Sequence, residues 1–433
     1  MLALELTRFR TAAGPLTPRR YNAGRLTPRR YEAGRLTPRR YEAGRLTPLR
    51  YENAGLALFP TVSGIYSVPK ACGFVFHIGI FAGESRGMKT RYLAAALILT
   101  GTLFAAGQAA YQAVKPGPAM TAAAQRWLAS LSGEQRSKAV MDYDAPQRVD
   151  WHFIPKASRK GLQIREMTEE QRQAARNLLR ASLSEIGYGK ANRIMEFEAL
   201  LKELEKAKTG TPLRDTERYY FTVFGQPSET SKWGLSIEGH HYSFNFVVEK
   251  GRVVSSSPNM FGANPATIKA SPLPGFKVGE RLLAKEEQLA FDLLAALDAS
   301  QRKTAVIAEK ALDEVRTAGQ PTPPTDAPVG LAAANMSEPQ KKLLRSLVEA
   351  YAENMPDEVA ADRLSSLKDG GFEKLHFAWA GADKPGIGHY YRVQGEAFII
   401  EFVNTQPDAA GNPANHIHCT WRDRRGDFAI PLK

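Results

Sequence analysis

The chain has 433 residues, enough for two or three domains with sizeable cores, and its 43% apolar and 24% charged content is that of an ordinary globular protein. Its formal net charge of +13 does not imply a nucleic-acid partner, because residues 1–87 hold 14 of the 58 Lys and Arg but only 5 of the 45 Asp and Glu. The rest of the chain carries only +4, which excludes an electrostatic case for nucleic acid.

Residues 15–55 repeat with a period of ten: PLTPRRYNAG, RLTPRRYEAG twice, then RLTPLRYENAG. A Pro and a Gly in every copy, with no apolar periodicity, cannot build a packed core. The 1–87 extension is therefore expected to be disordered. It reads as an upstream repeat ahead of a native start at Met88, the alternative being a basic arm for acidic surfaces. From Met88 the pattern becomes Lys89 and Arg91, an apolar run from Leu93 to Ala106, then the small residues AAGQAA. This is the order of a signal peptide over 88–110, cleaved near Ala109 or Ala110, and it predicts export to a periplasmic or extracellular compartment. If left uncleaved, the same segment would be an anchor and the only membrane contact. On cleavage Cys72 is lost and Cys419 stands alone, so no intrachain disulfide is expected.

Beyond residue 115 the same plan is written twice. WLASLSGEQRSKAV at 127–140 matches LLAALDASQRKTAV at 293–306 at an offset of 166, and GLQIREMTEEQRQAARNLLRAS at 161–182 matches GLAAANMSEPQKKLLRSLVEAY at 330–351 at an offset of 169. GLSIEGHHYSFNFVV at 234–248 follows the pattern of YYRVQGEAFIIEFVN at 390–404, with Gly239 over Gly395 and Phe246 over Phe402. Three collinear matches predict two tandem units, 115–275 and 280–433.

In each unit helices come first. Leu128 and Leu131 begin the helical spacing, Thr168 with Gln171 forms a capping box, and Ile194, Phe197, Leu200, Leu201 and Leu204 mark an amphipathic stripe. Strands are expected at 219–224, 235–238, 242–248 and 252–256. The second unit predicts helices over 284–313, 338–353 and 357–368, then strands at 375–380, 390–394, 398–403 and 415–421. The fold class is thus α+β: two duplicated units, each of helices followed by an antiparallel sheet, related by a pseudo-two-fold axis with a cleft at the sheets or their junction.

The candidate chemistry lies on the strands. Alternation along NHIHCTWRD puts His416, His418, Thr420 and Arg422 on one face and Ile417, Cys419 and Trp421 on the other. A His-x-His strand can offer two imidazoles to one divalent metal ion, zinc or copper. By the same alternation His241, Ser243 and Asn245 oppose Tyr242, Phe244 and Phe246, while Glu401 opposes Phe402; Asn245 corresponds to Glu401 in the duplication. Arg392 joins as a clamp for a carboxylate or phosphate. Each has a plainer reading: His240 and His241 as turn residues, Glu401 and Arg392 as a structural ion pair, and Trp233 and Trp421 as core aromatics. No Walker loop, GxGxxG after a strand, GxSxG or HExxH is present.

The strings HYYRVQGEAFIIEFVNTQ (389–406), NHIHCTWRDRRGDFA (415–429), WGLSIEGHHYSFNF (233–246) and MFGANPA (260–266) together resemble the bacterial exported family known as domain of unknown function 3500. The resemblance covers the body after the signal. It implies secretion, brings no established activity, and marks Glu238, His240, His241, Asn245, Arg392, Glu401, His416, His418 and Arg422 as one set. The expected function is a metal-dependent hydrolase with His416, His418 and either His241 or Glu401 on the ion. Glu401 and Arg392 would be catalytic, and Glu238, His240, Asn245 and Arg422 would bind a small polar or anionic ligand. The alternatives are a non-catalytic ligand-binding module and a structural envelope protein.

Overall fold

A computed structural model describes residues 115–206, 208 and 214–432. The period-ten repeat, the 88–110 segment and Cys72 lie outside the described residues. Among those described are eight α-helices and thirteen strands; each half runs helices then strands as expected of an α+β chain, except that two strands of two or three residues interrupt the helices of each half.

The first half runs α1 (Pro116–Ser130), α2 (Gly133–Ala139), β1 (Val140–Met141), β2 (Leu162–Gln163), α3 (Glu169–Ser182), α4 (Glu185–Glu205), β3 (Tyr220–Phe224), β4 (Lys232–Gly239), β5 (Tyr242–Glu249), β6 (Arg252–Ser255) and β7 (Asn259–Ala263). The second runs α5 (Ala284–Ala296), α6 (Ala299–Ala305), β8 (Val306–Ala308), β9 (Leu331–Ala332), α7 (Glu338–Ala352), α8 (Asp357–Ser365), β10 (His376–Gly381), β11 (His389–Gln394), β12 (Phe398–Gln406) and β13 (His416–Asp423). No helix among the described residues is long and apolar enough to cross a membrane.

Helix starts follow from side chains that satisfy orphan N–H groups. Ser132 with Gln135, Thr168 with Gln171 and Asp298 with Gln301 are reciprocal capping boxes. The box at Asp298 also explains why the helix expected over 284–313 is broken: Leu297 is extended, Asp298 restarts the chain as α6, and strand β8 begins at Val306. The capping glutamines then cross-link the helices. Gln135 Nε2 donates to Gln171 (2.9 Å) and to the Glu166 carbonyl (2.7 Å), as Gln301 Nε2 donates to Gln340 (3.0 Å) and the Asn335 carbonyl (2.9 Å).

The expectation of two separate antiparallel sheets is corrected. All the strands form one thirteen-stranded mixed sheet, in the order β1-β3-β4-β5-β7-β13-β12-β11-β10-β8, with β2, β6 and β9 on side branches. The β1–β3 and β8–β10 pairs are parallel. Pairing of β7 with β13 fuses the halves, which removes two edges that would otherwise leave backbone donors and acceptors bare. The order has the same form read from either edge, with β3, β4, β5 and β7 standing where β10, β11, β12 and β13 stand.

The sheet has two unlike faces. One cross-strand row reads Tyr242, Phe261, Cys419, Phe402, Tyr391 and Trp379. These apolar side chains pack in one continuous core with residues of α1, α3, α4, α5 and α7. The row next to it, on the other face, reads Tyr220, Glu238, Ser243, Met260, Thr420, Glu401 and Arg392. A smaller core, including Trp151, Phe153, Val315, Tyr390 and Phe428, covers that face. Its roof has no α-helix and consists of the mostly irregular segments around 142–160 and 309–328, which touch where Trp151 Nε1 donates to the Gln320 carbonyl (2.8 Å).

Candidate metal centre

The polar face needs a partner for every buried charge, since an unpaired charge away from water is costly. Most of those partners come from the roof. Glu238 receives Lys160 (2.9 Å) and Arg159 (3.6 Å). Glu401, with no exposed surface, accepts from Arg316 Nε (2.7 Å) and the Tyr390 hydroxyl (2.6 Å). Arg422 is held by Asp427 (2.5 Å) and by the Thr317 and Gln320 carbonyls, and lies over the Trp151 ring.

At one end of the β7–β13 ladder three histidines converge. His241 occupies the turn between β4 and β5 with φ of 66°, a left-handed conformation that carries its ring over β7. Gly262 makes the room: a Cβ there would lie 2.9 Å from His241 Cδ2. His416 and His418 point to the same face of β13, as their spacing predicts. His241 Nε2 and His416 Nε2 are 2.7 Å apart, and one ring nitrogen from each of His241, His416 and His418 falls within 4.8 Å of the others.

Two features bear on whether these imidazoles could hold an ion. The first is orientation. Glu314 holds His418 Nδ1 with both oxygens (2.7 and 3.0 Å), which leaves Nε2 free; Asn264 Nδ2, a donor 3.3 Å from His416 Nδ1, gives no such support and favours the His416 proton on Nε2. A carboxylate behind a histidine is the usual support for a metal ligand. The second is protonation. Burial, followed by the charges of His418 and His240, pushes His416 down to about 2, and burial with His240, His416 and His418 holds His241 well below the ordinary imidazole range. Both therefore stay neutral with a lone pair available, which ligation requires. Ligand nitrogens in a tetrahedral zinc shell stand about 3.3 Å apart, so small side-chain movements suffice for a fit.

A second group overlaps the first. His240 stacks on His241 with ring centroids 3.7 Å apart, and its Nδ1 lies 2.5 Å from Glu198 Oε1. Burial lowers the His240 pKa despite the opposing pull of Glu198. Arg214 Nη1 is 3.1 Å from the same nitrogen and is paired with Glu205 (2.7 Å). Glu198, His240 and His241 form another trio with ligand atoms in reach of one another. Beside His240 and Glu198 opens a pocket of about 20 Å³, room for one water, walled by Lys156, Arg159, Asp215 and Arg218.

The sequence-derived set thus separates. His241, His416 and His418 come together, with His240 stacked against them. His241, and not Glu401, is the third member of the trio with His416 and His418. Glu401 and Arg392 stand opposite one another in register, but Arg392 turns to Asp326 (3.4 Å) and Glu401 to Arg316. Glu238 is paired with Arg159, one wall of the pocket. Asn245 donates to Ser243 Oγ (3.2 Å) and the Pro258 carbonyl (3.1 Å), and Arg422 is engaged with the roof. His240 and His241 are buried rather than exposed turn residues, and Trp233 and Trp421 are core aromatics.

Glu198, Glu314, Arg214 and Asn264 were not anticipated. Only Glu198 left a signal: it follows Ile194 by four residues on the apolar stripe of α4, where a carboxylate requires a partner.

An α+β protein built on one long sheet, with a buried histidine cluster at its central seam, is the class these features define. The chain belongs to the family described as Protein of unknown function (DUF3500), whose model matches residues 114–430. No curated protein and no solved structure matches the chain.

Proposed function

We propose that this protein is a metal-dependent hydrolase whose divalent ion, zinc or copper, is held by His241, His416 and His418. The observation that carries the reading is the convergence of three imidazole nitrogens within 4.8 Å. The Glu314 support and the depressed His241 and His416 pKa values add to it. A divalent ion there would supply Lewis acidity toward water or a substrate oxygen. Glu198 and His240, in hydrogen-bond contact beside the ligands, form the proton-handling pair. Lys156, Arg159 and Arg218 outnumber Glu198 and Asp215 around the adjoining water-sized pocket, which favours an anionic substrate group at its mouth. Glu401 and Arg392 act at a distance in this reading, by pinning the segment that carries Glu314.

The test is a panel of model phosphoesters, carboxyl esters and amides. Turnover of at least one class should be lost after chelation and restored by zinc or copper, with Glu198→Gln lowering kcat while metal content is kept. Activity indifferent to chelation would overturn the hydrolase reading. The burial of His241 and His418 and the small size of the pocket favour a second reading, a non-catalytic binding module. It predicts metal uptake without turnover.

The two halves are proposed to descend from a tandem duplication. Support comes from the matching strand positions and from the capping glutamines, whose hydrogen bonds recur at the two offsets seen in the sequence. Export directed by residues 88–110 is likewise proposed, supported by their sequence pattern and by the start of the family match at residue 114. N-terminal sequencing of the secreted protein tests it: a mature chain beginning near Tyr111 is expected, and one beginning before Met88 would refute it.

A further inference from the structure

At the opposite end of the β7–β13 ladder from the histidines lies an open pocket of about 350 Å³, bounded by β6, the end of α8, the turn into β12 and the end of β13. Three guanidinium groups line it, from Arg252, Arg363 and Arg425, against the carboxylates of Asp362 and Asp423. The carboxylates are already engaged. Asp423 pairs with Arg425 (2.7 Å) and Asp362 faces Arg252 (3.8 Å), while Asp427 just behind is taken by Arg422 (2.5 Å).

Arg363 is left without an anion. Only 8% exposed, it donates through Nε to Ser256 Oγ (3.0 Å) and through Nη2 to the Ser256 carbonyl (2.7 Å), and its guanidinium sits over the Trp421 ring at 4.7 Å. Its Nη1 is buried with no partner. Burial lowers the Arg363 pKa to about 9, and attraction to Asp423 and Asp427 does not offset it. A buried cation lacking a counter-charge is destabilising, and a guanidinium offers the planar fork that carboxylates and phosphates match.

We propose that this pocket is a binding site for a small oxyanion, borne on a carboxylate or a phosphate, with Arg363 as the buried anchor and Arg252 at the rim. It is independent of the histidine cluster and of the hydrolase reading.

The full chain is titrated calorimetrically with inorganic phosphate and, separately, with malonate, in HEPES at constant ionic strength. Saturable binding of at least one is expected, and the stronger identifies the source of the oxyanion. Arg363→Met should weaken it at least tenfold without lowering the Tm in anion-free buffer, since the substitution removes an uncompensated charge. Arg252→Gln, at a side chain 68% exposed and therefore safe for folding, should weaken it several-fold. His416→Ala with His418→Ala should leave it unchanged. The proposal is overturned if wild type binds neither anion, if folded Arg363→Met binds within twofold of wild type, or if Arg252→Gln has no effect.

Discussion

The two faces of the sheet solve the same problem by different means. On the helix side, Tyr242, Phe261, Cys419, Phe402, Tyr391 and Trp379 meet amphipathic helices, and burial of apolar surface suffices. On the other side Glu238, Glu401, His418 and Arg422 are buried equally well, but by irregular segments that bring Arg159, Lys160, Glu314, Arg316, Thr317 and Gln320 to meet them one by one. A helical layer can cover a sheet with interchangeable side chains. A roof of irregular chain holds only if particular groups pair, and that requirement fixes the geometry in which the histidines meet.

The sharpest way to break this comparison is to remove the keystone of the roof. Trp151 is fully buried, bonded to Gln320 and lies under Arg422, so Trp151→Ala should cost about 3–5 kcal/mol, as for Trp379→Ala in the helical core. Urea unfolding of both variants checks it. A Trp151→Ala loss within about 0.5 kcal/mol, typical of surface positions, would mean the segment is an ordinary loop.

A second probe is titration of the Glu287 carboxyl on the helix side. Burial alone would raise its pKa, but hydrogen bonds and charge from His389, Asn404 and Arg281 outweigh that and hold it at about 2. A folded value below the unfolded one stabilises the protein above the unfolded pKa, and the gain is lost as pH falls toward 2. Wild type should therefore exceed Glu287→Gln by about 3 kcal/mol at neutral pH, with the gap closing between about pH 4.5 and 2. A gap independent of pH would contradict it.

On the roof side, Glu401→Gln keeps the shape but removes the charge opposite Arg316. Because Arg316 is 23% exposed and also holds Asp326, a smaller loss of about 2 kcal/mol is expected in the same unfolding assay. The smallest effect belongs to the helix starts, where Thr168→Ala should lower stability by about 1 kcal/mol and leave metal content unchanged.

This asymmetry also decides what could be read from the sequence. The helix side was legible because period-2 strands meet period-3.6 helices, which places Phe402, Cys419 and the α4 stripe without any long-range knowledge. The same alternation put His416, His418, Thr420 and Arg422 on one face. Strand β7 was missed: NMFGA lies between Pro258 and Pro265, with Gly262 interrupting its short run, and only pairing with β5 and β13 makes it a strand. Without β7 the halves read as two sheets. The contacts of Glu314 and Arg214 left no periodic trace, because they reach His418 and His240 from irregular chain 104 and 26 residues away.

The account rests on the histidines, and elemental analysis tests it most directly. Full-length protein stripped with a chelator, then dialysed against zinc or copper, should hold one ion per chain of at least one metal. The His416→Ala, His418→Ala double variant, folded by circular dichroism, should hold none. Wild type that takes up no stoichiometric metal, or a double variant that takes up as much, would contradict the metal centre.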